Sequence, residues 1–256
     1  MGLELNRMTG KAAQLAGRAV DFVLPPRCHA CGELVDASGR LCARCWSDLN
    51  FITPPHCALC GFPFEYDQGE GATCGSCLRR APPFEAARSA LRYDDMSRDL
   101  VLKFKRSDRT DMAAVFAPLL MRAVRATGME FDLVMPVPLH RRRLWRRRFN
   151  QSALLARPLA AELGLDLDLL TLIRRRATPT QAGLAGRQRF LNVRGAFAVP
   201  ARRRARLKEK SILLIDDVFT TGATLSACAR ALKRAGARAV GAVTVARVVH
   251  PMDDPI

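Results

Sequence analysis

Residues 212–225 read ILLIDDVFTTGATL, and no other stretch limits the fold as tightly. Four consecutive aliphatic residues mark a strand buried on both faces. Two adjacent carboxylates, Asp216 and Asp217, follow directly. Like charges side by side must be hydrated or bound by a cation or a hydrogen-bond donor. A small-residue turn comes next, Thr220, Thr221, Gly222, Ala223 and Thr224, and it leads into a helical pattern. Strand, turn and helix in this order make an anion cradle. Backbone N–H groups of the first helical turn converge on the ligand, hydroxyls add donors, and a glycine lets the backbone come close. Carboxylates beside a phosphate would repel it. They make sense if the ligand also offers hydroxyls, or brings Mg²⁺. A phosphate joined to a vicinal diol describes a ribose 5-phosphate. The competing reading, an acid pair that merely caps a helix, leaves the TTGAT unexplained.

The rest of the chain supplies a frame for this cradle. FDLVMPVP (131–138) reads as a buried strand stopped by prolines, and 211–215 and 238–248 read as two more. Gly195 to Val199 suggests a short strand. Helical spacing of apolar residues runs through 96–106, 109–126, 150–163 and 224–235, the last closed by Gly236. Residues 174–194 are polar and arginine-rich and read as a loop. Strands alternating with helices predict an α/β fold with a mainly parallel sheet flanked by helices. Residues 4–23, before Pro25 and Pro26, predict a short amphipathic helix.

The chain has nine cysteines, and eight of them form four CxxC pairs: Cys28/Cys31, Cys42/Cys45, Cys57/Cys60 and Cys74/Cys77. Each pair can present two thiolates to one ion, and structural zinc takes four in a tetrahedron. Two complete sites are therefore expected, paired either sequentially or in a cross-braced order. Redox-active dithiols are the alternative, but four consecutive pairs exceed what such a site needs. His29 and His56 adjoin ligands without being required. Cys228 stands apart and reads as a small buried residue.

Charge divides the chain. Residues 1–80 carry eight basic and eight acidic side chains, and residues 81–256 carry 33 against 16, so the net +17 lies wholly in the second part. Such a surplus points to anionic partners. Its densest run is HRRRLWRRRFNQ, with Arg142, Arg143, Arg146, Arg147 and Arg148 around Trp145. Arginines with an interleaved aromatic can grip phosphates and stack on bases. The competing reading is a solvated loop with Trp145 buried beneath it. Arg174–Arg176 and Arg202–Arg204 read as surface charge, and Lys103, Lys105 and Arg106 carry no clear role. No apolar run approaches the roughly 18 residues of a membrane span, and no signal-peptide layout is visible, so membrane insertion is not expected and a cytoplasmic protein is.

IDDVFTTGAT resembles the phosphoribosyl-pyrophosphate (PRPP) motif of type I phosphoribosyltransferases. Together with the cysteine module, PVPLHRRRLWRRRFNQSALLARPLA (136–160) and QAGLAGRQRFLNVRGAF (181–197), it resembles the ComF (ComFC/GntX-like) family. That resemblance implies an N-terminal helix over 1–26, a double zinc-ribbon module over 27–80 and a phosphoribosyltransferase-like domain over 85–250. It implies that Asp216 and Asp217 contact the ribose hydroxyls, with Mg²⁺ accompanying PRPP, and that residues 220–224 hold the 5′-phosphate. Leu139, His140 and Arg141 would match the pyrophosphate loop. Gln181, Arg187 and Arg189 would match the lid over the site. The implied chemistry is displacement of pyrophosphate at C1 by an unnamed acceptor. Hypoxanthine-type relatives carry an Asp where Thr220 stands, which argues against that substrate. Members act in natural transformation, so single-stranded DNA and DNA-uptake proteins are implied partners. Two other readings keep the fold without turnover: a DNA-binding competence factor and a PRPP sensor.

Overall fold

The computed structural model describes residues 25–106, 110–178 and 186–249. The helix expected over 4–23 and Gln181 lie outside them. Two compact units divide the chain, Met1–Asp48 and Leu49–Ile256.

Among its described residues the first unit holds one short helix, α1 (Ala43–Ser47), behind a cysteine knuckle. Its only buried apolar side chains among the described residues are Cys28 and Cys45.

The second unit opens with the other cysteine pairs and α2 (Gly75–Arg79). There follow β1 (Ala86–Arg92), α3 (Asp95–Lys105), a 3-10 turn, α4 (Ala113–Arg125) and β2 (Leu133–Pro136). Next come α5 (Arg141–Arg147), α6 (Gln151–Leu163), β3 (Asp166–Leu167), β4 (Ile173–Arg174), α7 (Gly186–Val193) and β5 (Phe197–Ala198). The chain continues through a 3-10 segment to β6 (Ser211–Phe219), α8 (Ala223–Arg234) and β7 (Ala239–Arg247). Five strands form a wholly parallel sheet in the order β1-β7-β6-β2-β3. β4 and β5 make a separate antiparallel pair.

Side chains alternate across a strand, so each face of the sheet has its own core. Ile212 and Leu214 of β6, with Leu133 and Met135 beside them, join one cluster that includes Leu225, Cys228 and Leu232 of α8. Phe62, Phe64 and the second set of cysteines belong to that same cluster. Leu213 and Ile215 therefore face the opposite side, where α4 and α6 pack on each other and on the sheet. Burial on both faces is why β6 reads as an unbroken aliphatic run.

Several elements depart from the sequence reading, the short strands β3 and β4 among them. β1 is a strand that the pattern AARSALR did not announce. Residues 186–193, read as loop, are helix α7. The arginine run 141–147 is helix α5, whose N-cap His140 accepts a hydrogen bond from Arg142 N–H at 3.3 Å. Among the described residues no helix is long and apolar enough to cross a membrane.

Candidate functional site

The cysteines assemble sequentially. Cys28, Cys31, Cys42 and Cys45 form one cluster and Cys57, Cys60, Cys74 and Cys77 the other, each with its sulfurs within 4.8 Å of one another. This excludes the cross-braced order. The two knuckles are built alike: Cys28 N–H donates to Glu33 C=O and Gly32 N–H to Cys28 C=O, as Cys57 N–H does to Phe62 C=O and Gly61 N–H to Cys57 C=O. Gly61 has φ +70°, and a Cβ there would stand 2.6 Å from the Ala87 carbonyl oxygen, so glycine is required where the second knuckle meets β1. Cys31–Cys42 and Cys60–Cys74 sulfurs lie 3.6 Å apart. Four sulfurs about 2.3 Å from one ion would stand at nearly that spacing. Backbone N–H groups of Cys60 and Cys74 also point at Cys57 Sγ, at 3.4 and 3.3 Å. The donor sets fit two structural zinc ions.

The acid pair lies at the carboxyl end of β6, where an open parallel sheet binds ligands. A cleft of about 490 Å³ opens there. Asp216 and Asp217 line it, with Thr220, Gly222, Ala223 and Thr224 of the turn. Gly222 is the N-cap of α8 at φ 70°, and no side chain caps the helix. A Cβ on Gly222 would stand 2.7 Å from the Phe219 ring, so only glycine fits the turn without displacement. Thr221 is not among the lining residues, and its buried hydroxyl has no hydrogen-bond partner.

What holds the acids together comes from distant segments. Ser152, in the first turn of α6, donates its hydroxyl to Asp216 Oδ1 at 3.0 Å, and Asp217 N–H donates to the same oxygen at 3.0 Å. Lys105, at the end of α3, forms an ion pair with Asp217 Oδ2 at 2.9 Å. Burial first, then the charge of Asp217, pushes the Asp216 carboxyl up to about 7. Asn150 fixes this arrangement. Its side chain accepts from Ser152 N–H and donates to Val137 C=O at 3.0 Å, tying the start of α6 to the end of β2.

Cations complete the wall. Arg143, Arg147, Arg174 and Arg189 line the cleft with Lys105. Arg174 is a correction: it read as surface charge, yet it is buried, hydrogen-bonded to Thr178 Oγ1 and stacked 5.2 Å over Phe197. Burial first and neighbouring arginines next lower the pKa of Arg143 and Arg174, but a guanidinium stays charged at neutral pH. Lys105, Ser152 and Gln151 are site residues that sequence reasoning missed. The only hint was the helix start at Asn150, which the sequence did place.

The remaining expected residues scatter. Leu139 lines the acid cleft, whereas His140 and Arg141 line a neighbouring cavity of about 780 Å³ with Arg142, Trp145 and Arg146. Arg143 and Arg174 border both. Arg148 ends α5 in a left-handed conformation and lines neither. Arg187 is in α7. Trp145 is 88 % exposed, which overturns the reading that buried it under the loop.

The chain matches the models of two families, a double zinc ribbon domain over residues 19–78 and a phosphoribosyl transferase domain over 150–255. It is 40 % identical to the DNA utilization protein YhgH of Salmonella typhimurium over 65 % of this chain and 74 % of that one. It is 30 % identical to competence protein F of Haemophilus influenzae over 86 % of this chain and 96 % of that one. The chain belongs to the ComF/YhgH family. Among solved structures, an adenine phosphoribosyltransferase from Thermoanaerobacter pseudethanolicus aligns at 17 % identity and a TM-score of 0.34, over 57 % of this chain and 83 % of that one. The ComF/YhgH architecture accounts for both halves described above: two cysteine clusters, then a phosphoribosyltransferase-type parallel sheet.

Proposed function

We propose that the acid cleft binds PRPP and Mg²⁺ and that the protein transfers the phosphoribosyl group to an acceptor in the cytoplasm. In this reading residues 85–250 form the transferase domain. The observation that carries it is the junction of β6 and α8. Two carboxylates that can accept hydrogen bonds from ribose hydroxyls stand beside an uncapped helix start that can receive a phosphate. The carboxylate oxygens of Asp216 and Asp217 are of the kind Mg²⁺ takes, with Lys105 Nζ already 2.9 Å from Asp217 Oδ2, and bound Mg²⁺ would add charge neutralisation at the leaving group.

The chain's own residues do the rest. Asp216 and Asp217 orient the sugar, with Ser152 and Lys105 holding the carboxylates in place. Thr220, Gly222, Ala223 and Thr224 hold the 5′-phosphate, with Thr221 beneath them. Leu139 borders the departing pyrophosphate, with His140 and Arg141 in the adjoining cavity, and Arg143 and Arg174 supply charge beside it. The C1–O bond breaks with its electron pair leaving on pyrophosphate, and the acceptor's electron pair forms the new bond at C1. Fixed cations aimed at the developing negative charge lower the barrier. The test is to follow pyrophosphate release from PRPP and Mg²⁺ by the zinc-loaded protein, with and without single-stranded DNA. Absence of PRPP binding by calorimetry would sink the reading.

Trp145 supports a second role. An almost fully exposed tryptophan on a helix with six basic neighbours within residues 141–148 suits single-stranded DNA, as in a competence factor acting in DNA uptake. Neutralising Arg146, Arg147 and Arg148 should weaken DNA binding and flatten its salt dependence. An unchanged salt slope would refute this role.

A further inference from the structure

A third cavity, of about 590 Å³, shares no lining residue with the acid cleft. Its construction begins on α8. Ala227, Arg230, Ala231 and Arg234 fall at positions i, i+3, i+4 and i+7, one stripe of the helix. The two alanines leave room and the two arginines bring charge. Arg194, just past α7, and Arg80, just past α2, join them from two other elements. Phe190 of α7 supplies an aromatic wall, with the Arg80 guanidinium 5.3 Å from its ring centre.

Basic residues near a helix C-terminus favour its dipole, and that suffices for Arg234. It does not explain four guanidiniums drawn together from three elements. Among the described residues no carboxylate lines the cavity. Glu85, which Lys233 of α8 engages, is taken up by Lys233 Nζ at 2.6 Å and by Val240 N–H at 2.7 Å. Burial, then the charges of Arg80 and Arg234, lowers the pKa of Arg230. Like charges collected around a concave, partly apolar space are stabilised by an anion that enters it.

We propose that this cavity binds a nucleoside phosphate, free or as one unit of a single strand, with its phosphate on Arg194, Arg230 and Arg234 and its base beside Phe190 and Arg80. Guanidiniums match phosphate oxygens in pairs, and an aromatic face with an arginine plane is the usual platform for a base. The cavity has room for far more than a bare phosphate. It lies outside the PRPP site, so it does not depend on that assignment.

The test uses the full zinc-loaded chain, the double variant R230A/R234A and Phe190→Leu. Alanine is the better helix former, so the double variant should fold, as a melting curve and an unchanged PRPP titration would verify. Calorimetric titrations with dTMP, inorganic phosphate and a short oligo(dT) follow. The oligomer is also tested with Arg146, Arg147 and Arg148 replaced by alanine, to remove binding at α5. The proposal expects dTMP, the oligomer or both to lose about tenfold or more in affinity in R230A/R234A. Phe190→Leu should lose the advantage of nucleotide over phosphate while phosphate binding persists. Binding of dTMP but not the oligomer would identify free nucleotides as the source, and the reverse a strand. The proposal falls if neither ligand binds the wild type, if R230A/R234A binds both as well as the wild type does, or if phosphate binds as tightly as whichever of the two the wild type binds.

Discussion

The two cysteine clusters share one knuckle and differ in their surroundings. In the first unit Cys31 is exposed and Cys42 half-exposed, and Cys28 and Cys45 are the only buried apolar side chains described there. An ion pair of that unit, Arg40 with Asp36, is short-range and exposed. In the second cluster all four cysteines are buried. Arg247 of β7 donates to Cys60 C=O at 2.7 Å and lies 5.3 Å from the centre of Phe62 and 4.3 Å from that of Phe219. Arg88 of β1 donates to Ala58 C=O at 3.0 Å. The same ligand set thus serves two purposes. Among the described residues the first cluster is the core of its unit, and the second is one layer of a larger core.

The largest effects should come from the ligands. Cys31→Ser should release one zinc per chain and unfold the first unit, since a structural zinc contributes on the order of 10 kcal/mol. The melting of the large unit should not move. Cys60→Ser should release the other ion and also lower that melting. Metal analysis with calorimetry checks both, and equal melting of the large unit in the two variants would break the comparison. Next comes Arg247→Ala, which leaves the Cys60 carbonyl unsatisfied and empties the space between two rings. A loss of about 2–4 kcal/mol in urea unfolding is expected, with metal retained at the first cluster.

Gly222→Ala should cost about 1–3 kcal/mol, because alanine is strained at φ 70° and its methyl meets Phe219. It should also weaken phosphate-ligand binding. Asp216 adds a pH dependence to the large unit. Its folded carboxyl titrates near 7, above its value in the unfolded chain, so the folded state holds a proton the unfolded state has released. Stability must then fall as pH rises from about 4 to about 7, with the loss complete above that. Melting temperature measured from pH 5 to 8 should decline, and Asp216→Asn should flatten the decline. The smallest effect is Arg40→Ala, under about 0.5 kcal/mol for an exposed pair, read from the proteolysis rate of the first unit.

What the sequence disclosed follows from how local each signal is. The cysteine sets, the aliphatic run into Asp216 and the helix start at Asn150 each lie within a short window, and each was legible. β1 was not. Its three alanines and two arginines lack the β-branched signature, and the strand stands because Arg88 finds acceptors at Ala58, Ala87 and Ala126. Arg174 looked solvated because Phe197 and Thr178, which enclose it, do not adjoin it in sequence. Lys105 reaches Asp217 from more than a hundred residues away, and no local motif could have paired them.

β6 does not stop at its acids. Asp216 still pairs with Thr244, Val218 with Ala246 and Phe219 with Arg247. The carboxylates therefore sit on the paired central strand of the sheet, although binding residues usually sit on loops. A ligand arriving there meets a rim already set in place, so ordering that rim costs little entropy. In hydrogen exchange, the amides of 216–219 should be slow before any ligand is added and scarcely slower afterwards.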